Sequence, residues 1–156
     1  MPQSHRDTTQ QFDDVEDLLG RWLKERRVLL ARYTQVATIV SAQLSLDGLA
    51  RSQREFCEVL VDYISAGHFE VYLKLLDEAE SYGDGSDALA VALIPAITDT
   101  TEFILAYEEK YAPDFDDTIN LDRDLSALGE MLESRFTLED QLIAGLHNSH
   151  RRQSGN

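Results

Sequence analysis

DTINLDRDLSALGEMLESRFTLEDQLIAGLHNS, residues 117–149, decides the fold. Its apolar side chains fall at Ile119, Leu121, Leu125, Leu128, Leu132, Phe136, Leu142, Ile143 and Leu146. Steps of three and four mark one face of an amphipathic helix. At 1.5 Å per residue the run predicts a rod of roughly 50 Å. A rod with one apolar stripe needs other rods to cover it, and the preceding chain supplies them. Leu89, Leu93, Ile94, Ile97, Ile104, Leu105 and Tyr107 form another helical run, with Ser86 or Asp87 as its cap. Pro95 inside it predicts a kink or a late start. Gly83-Asp84-Gly85 marks a turn before it. Two further runs precede that turn: Leu49, Phe56, Val59, Leu60, Tyr63 and Ile64, then Phe69, Tyr72, Leu73, Leu75, Leu76 and Ala79. Gly67 between them reads as a helix end or sharp bend. Ser45 to Gly48 connects to a first run, Val15 to Val40, whose start reads as a capping box at Asp13 and Glu16.

No alternating strand pattern of useful length and no internal repeat appears. The expectation is an all-α protein, an antiparallel up-down helical bundle of the four-helix type with extra short helices. Residues 1–156 form one domain, with flexible polar ends at 1–11 and 150–156.

Hydrophobic residues make up 43% and charged residues 28%, which excludes a disordered chain. The single cysteine, Cys57, allows no internal disulfide, and the N-terminus lacks a signal-peptide core. No uninterrupted apolar run approaches the roughly 20 residues of a membrane span. These features predict a cytoplasmic protein with no membrane contact.

The net charge is −15 and unevenly spread. Residues 70–124 hold 15 acidic against 3 basic side chains, and residues 1–69 hold 10 against 8. Such acidity opposes direct nucleic-acid binding, since phosphates are repelled. It suits a basic protein partner, and it equally serves solubility alone.

Catalytic chemistry is hard to find. Bundle enzymes that hold metals use carboxylates with Glu-x-x-His pairs. None of His5, His68, His147 and His150 has Glu three residues before it. His147 and His150 share a helix end, where imidazoles commonly bond free carbonyls. Cys57 reads as a buried small apolar residue. Asp13-Asp14 and Asp116-Asp117 read as helix N-terminal acids, and Glu139 lies one turn from Arg135 as an ordinary ion pair. No cofactor or metal is expected.

The segment Leu60-Val-Asp-Tyr-Ile-Ser-Ala-Gly-His-Phe-Glu-Val-Tyr72 differs from ordinary bundle sequence. Aromatic residues beside polar ones suit a protein-binding hot spot, although Tyr63, Phe69 and Tyr72 also fit a core. At this segment the chain resembles the Rsd/AlgQ family of bacterial anti-sigma factors. Two further stretches carry the resemblance: Arg21-Trp22-Leu23 through Arg26 with Leu29-Leu30, and Leu132-Glu133-Ser-Arg135-Phe136-Thr-Leu-Glu139-Asp140-Gln-Leu142-Ile143. It spans roughly residues 18–147 and fades at the N-terminal dozen residues, the 83–87 turn and the 113–117 loop.

The resemblance implies a helical bundle that binds the housekeeping, sigma-70-type sigma factor. It implies occlusion of the domain that reads the promoter −35 element, and weaker association of sigma with core RNA polymerase. Carried over by position, the family's sigma-contacting residues are Asp62, Ser65 and Phe69, with Tyr63, His68 and Tyr72 as neighbours. Asp62 would meet a basic or amide donor, Phe69 an apolar pocket, and Ser65 would allow close packing. On an unbroken helix the first three share a face. The alternatives are a helical adaptor of the same family that contacts metabolic or stress-signalling proteins, and a metal-dependent bundle enzyme. Self-association through an apolar face is a further expectation.

Overall fold

The computed structural model describes residues 5–42, 46–111 and 119–151, with side chains from Thr8 onward in the first segment and from Gly48 in the second. Five α-helices lie in the described chain: α1 (His5–Ala42), α2 (Leu46–Ala66), α3 (Tyr72–Tyr82), α4 (Ala88–Tyr111) and α5 (Leu121–Leu146). A π-helical turn, Gly67–Val71, joins α2 to α3 without a break. A short 3-10 turn, Asn148–His150, follows α5. The result is four rods, with α2, the π turn and α3 forming one of them.

Side-chain pairs fix the directions. Along α1, Trp22 bonds Tyr63 and Arg32 bonds Glu55, so α2 runs down as α1 runs up. Glu16 meets His147, and Tyr33 meets Leu125, so α5 is antiparallel to α1. Gln53 meets Tyr107 and His68 meets Thr101, which sets α4 antiparallel to the second rod. Arg135 reaches Thr100, and Lys110 reaches Asp124, so α4 and α5 are antiparallel too. Neighbours therefore alternate around the square, the up-down arrangement expected from short connections.

Leu29, Val36, Phe56, Leu60, Leu75, Ile97, Ile104 and Leu128 fill the centre and are fully buried. Burying one such side chain stabilises the fold by about 1.5–3 kcal/mol. Gly129 lets α1 approach α5 closely, because a Cβ there would sit 2.3 Å from the Tyr33 hydroxyl. That hydroxyl instead donates to the Leu125 carbonyl at 2.9 Å.

Several expectations need correction. α1 begins at His5, so Asp13 and Asp14 lie inside the helix and cap nothing, and residues 5–11 are helical. No Gly or Pro interrupts residues 5–15, and Phe12 is buried at the bundle end. Gly67 neither ends nor reverses the helix. α4 starts at Ala88 and runs through Pro95, so Pro95 does not mark a late start. Ser86 and Asp87 precede α4, and the first bonds of that helix run from the N–H groups of Ala88, Leu89 and Ala90 to the carbonyls of Gly85, Ser86 and Asp87. α5 spans 26 residues from Leu121, and Ile119 is 89% exposed rather than part of the apolar stripe. By length and mean hydropathy (1.6), α4 is apolar enough to cross a membrane, which a search for uninterrupted runs misses. Within the bundle its Ile97, Ile104, Tyr107 and Tyr111 are buried. Ser45 and the 113–117 loop lie outside the described residues.

The Gly83-Asp84-Gly85 turn forms as expected. Gly83 adopts φ 64° and closes α3 in the left-handed conformation that favours glycine.

Candidate functional site

The 62–72 segment lies on the second rod and divides into an outer and an inner set. Asp62 and Phe69 are exposed and Ser65 is half-buried. Phe69 is 80% exposed, an unusual position for a phenylalanine. Tyr63 and Tyr72 are buried and point inward, and His68 is half-buried. The six residues predicted together thus form a surface and its support.

The π turn separates the two sets. The Tyr72 N–H bonds the Gly67 carbonyl, five residues back. Such a turn inserts one extra residue into a helix without breaking it. Glycine at 67 avoids a tight contact, because a Cβ would lie 3.1 Å from the Tyr72 hydroxyl and 3.2 Å from Trp22 Cζ2. Val71 and Tyr72 turn inward just beyond Phe69, which stays outside.

Beneath the surface lies a buried polar network centred on Glu139. The Tyr63 hydroxyl donates to Glu139 Oε1 at 2.5 Å, and the Tyr72 hydroxyl donates to Oε2. Arg26 Nη2 reaches Oε1 at 3.2 Å, and Arg135 Nε reaches Oε2 at 3.2 Å. These four donors fill the lone pairs that an ionised carboxylate presents. Burial pushes the Glu139 carboxyl above its ordinary value, against the pull of Arg135, Tyr63, Tyr72 and Arg26.

Arg135 is itself fully buried. Its Nη1 donates to Thr100 Oγ1 at 2.9 Å and Thr101 Oγ1 at 2.8 Å, tying α5 to α4. Its Nη2 donates to Tyr72 Oη at 3.2 Å and to His68 Nε2 at 3.1 Å. Accepting from a guanidinium requires a lone pair on Nε2, which assigns the neutral His68 proton to Nδ1. Burial and the Arg135 charge lower the His68 pKa in agreement. Trp22 stacks on Tyr63 at 4.6 Å and donates its indole N–H to the Tyr63 carbonyl at 3.1 Å. Arg26 completes the frame, bonding Tyr63 Oη at 3.0 Å and Asp140 at 2.7 Å.

The sequence spacing predicts the Glu139–Arg135 pair as an ordinary ion pair, without its burial or its partners on other helices. A signal was present: both residues stand in the gap of the Leu128, Leu132, Leu142, Leu146 stripe. Arg26 and Trp22 carried no individual role, since their partners are far away in sequence.

A second buried group closes one end of the bundle. His147, expected to bond carbonyls, instead sits between Glu78 (2.8 Å from Nδ1) and Glu16 (2.9 Å from Nε2). Phe12 stacks on it at 4.1 Å. His150 behaves as expected, with Nδ1 at 3.0 Å from the Leu146 carbonyl. Among the described residues no three His, Cys, Asp or Glu side chains are placed to hold a metal. Cys57 is buried, and desolvation pushes its thiol up to about 12.

This arrangement bonds its buried polar groups to one another. It presents an exposed aromatic and a carboxylate on a braced rod. Comparison with known proteins gives the same direction. The model of a family described as regulator of RNA polymerase sigma(70) subunit, Rsd/AlgQ, matches residues 1–147. A protein named Regulator of sigma D from Yersinia pseudotuberculosis is 35% identical over 139 residues, covering 86% of this chain and 82% of that one. A protein of the same name from Pectobacterium atrosepticum is 35% identical over 136 residues, covering 85% and 89%. No solved structure matches the chain. The three stretches that carry the resemblance converge in space: Trp22 and Arg26, Tyr63 to Tyr72, and Arg135 to Asp140 share one network. The chain belongs to the Rsd/AlgQ family, whose members regulate the sigma(70) subunit of RNA polymerase by binding and are not enzymes.

Proposed function

We propose that this protein is an anti-sigma factor that binds the housekeeping sigma factor through Asp62, Ser65 and Phe69. The observation that carries the reading is Phe69, left 80% exposed by a π turn whose other side is buried. A large aromatic held outward on a rigid base, with carboxylates beside it, has the make-up of a binding hot spot. Asp62 accepts from a basic or amide donor of sigma, Phe69 enters an apolar pocket, and Ser65 permits close approach. Tyr63, His68 and Tyr72 hold this surface from beneath.

The domain of sigma that reads the −35 element is basic, and a chain of net charge −15 complements it. Occupying that domain blocks DNA and weakens sigma's association with core polymerase. Direct DNA binding is disfavoured by the same charge. The protein acts where RNA polymerase acts, in the cytoplasm.

Isothermal titration of purified sigma tests the reading. Wild-type protein should bind at micromolar concentration or tighter. Phe69→Ala and Asp62→Ala should each weaken binding about tenfold or more while helical circular dichroism is retained. Absence of binding by the unmodified protein would sink the proposal. Light scattering of the protein alone reports whether copies also self-associate.

A further inference from the structure

Phe69 is not the only large apolar side chain on this side of the rod. Leu73, one turn further along in α3, is 55% exposed. Beside this pair runs a groove of about 360 Å³ between α1 and α3, floored by Val15 and Leu18. Asp14, Asp17, Glu70 and Asp77 line it, opposed by Arg21 and Lys74, an excess of two negative charges. Glu25 and Asp62 lie within electrostatic reach of its Glu70 end. Burial first, and then the charges of Asp62 and Glu70, raise the Glu25 carboxyl, so three acids from α1, α2 and the π turn act on one another.

We propose that the sigma-facing surface extends from Phe69 over Leu73 into the α1/α3 groove, and that this strip takes one basic amphipathic helix of the partner. The inference rests on the reading of the protein as a sigma binder. Apolar side chains of the partner helix cover Phe69 and Leu73, and its Lys and Arg side chains reach the groove carboxylates. From Asp62 to Asp77 the rod spans roughly 22 Å, which matches about four turns of a partner helix. A second copy of this chain is disfavoured as occupant, because it brings a further −15 of like charge. An anionic lipid surface and DNA are disfavoured for the same reason.

Three exposed-site variants separate this inference from the broader reading, each checked for unchanged circular dichroism. Leu73→Asp should weaken binding of purified sigma about tenfold. A double Asp14→Lys, Asp17→Lys variant should slow association several-fold and flatten its salt dependence. A control double, Glu102→Lys with Glu109→Lys on α4, should change the association rate much less. If the first two variants bind as wild type while Phe69→Ala loses sigma, the strip is wrong and the sigma reading stands. Equal slowing by the α4 control overturns the groove, since the effect is then one of total charge. No binding by the wild-type protein overturns both.

Discussion

At the scale of single residues, the buried Arg135–Glu139 pair controls the candidate site. Removing one member of a buried pair leaves an uncompensated charge, at a cost of about 3–5 kcal/mol. Arg135→Met should therefore lower stability by about that amount in urea unfolding. Glu139→Gln keeps the shape but leaves the buried Arg135 without its counter-charge, so its loss should be of similar size. Gly67→Ala probes the close approach. Its Cβ would meet Tyr72 and Trp22, both locked by partners, and overpacking of this kind costs about 1–3 kcal/mol. All three core variants should also weaken sigma binding, because Phe69 stands on the groups they disturb. The sequence revealed these residues unevenly. Spacing placed Arg135 one turn from Glu139. Their burial was visible only as a gap in a leucine stripe, because their partners Arg26, Tyr63 and Tyr72 come from distant segments.

At the scale of elements, periodicity revealed the rods and missed that α2 and α3 join into one. Apolar spacing reports which face is buried, so α2, α4 and α5 were legible. It does not distinguish a glycine that ends a helix from one that permits close packing, and Gly67 is the second kind. Nor does it see an isolated Phe12 whose cover is His147, 135 positions later in the chain. The His147 cluster yields a prediction of its own. Burial opposes the charged imidazole, but Glu78 and Glu16 outweigh it and raise the pKa. A base with a raised folded pKa contributes stability below its unfolded value, about 6.5, and loses it as pH rises through the folded value. His68 has the opposite shift, so its effect lies below about 6.5 and leaves the alkaline window clear. The melting temperature should therefore fall as pH rises above about 6.5 through the raised folded value, and His147→Gln should flatten that slope. An unchanged slope in the variant would show that His147 is neutral in the native protein. Glu16 acts at the acid end. Its pKa, lowered to about 2 chiefly by hydrogen bonding to Arg151, makes its contribution present above about 4.5 and lost as pH falls toward 2.

At the scale of the whole molecule, the question is whether four rods behave as one folding unit. Every side of the square carries cross-links, buried at three sides and half-buried at the fourth: α1 to α2 through Trp22, α2 to α4 through Gln53, α4 to α5 through Arg135, and α5 to α1 through Arg26. No pair of rods can separate without exposing part of the Leu60, Leu75, Ile97, Ile104 and Leu128 core. Single domains of about this size usually unfold in one all-or-none step. The chain carries its own probe. Trp22, the sole tryptophan, is buried against Tyr63 and Tyr72, so its fluorescence reports the junction of α1, α2 and α3. Far-ultraviolet circular dichroism reports all five helices together. The two signals should trace one urea transition with a common midpoint. If the fluorescence change came first and most of the helix signal survived it, α4 and α5 would be a unit that stands without α1. The Arg26–Glu139 and Glu16–His147 links between α1 and α5 argue against that order. They tie the first helix to the last over one half of the bundle, and the Tyr33 bond to the Leu125 carbonyl does so toward the other end, so loss of either helix should carry the rest of the fold with it.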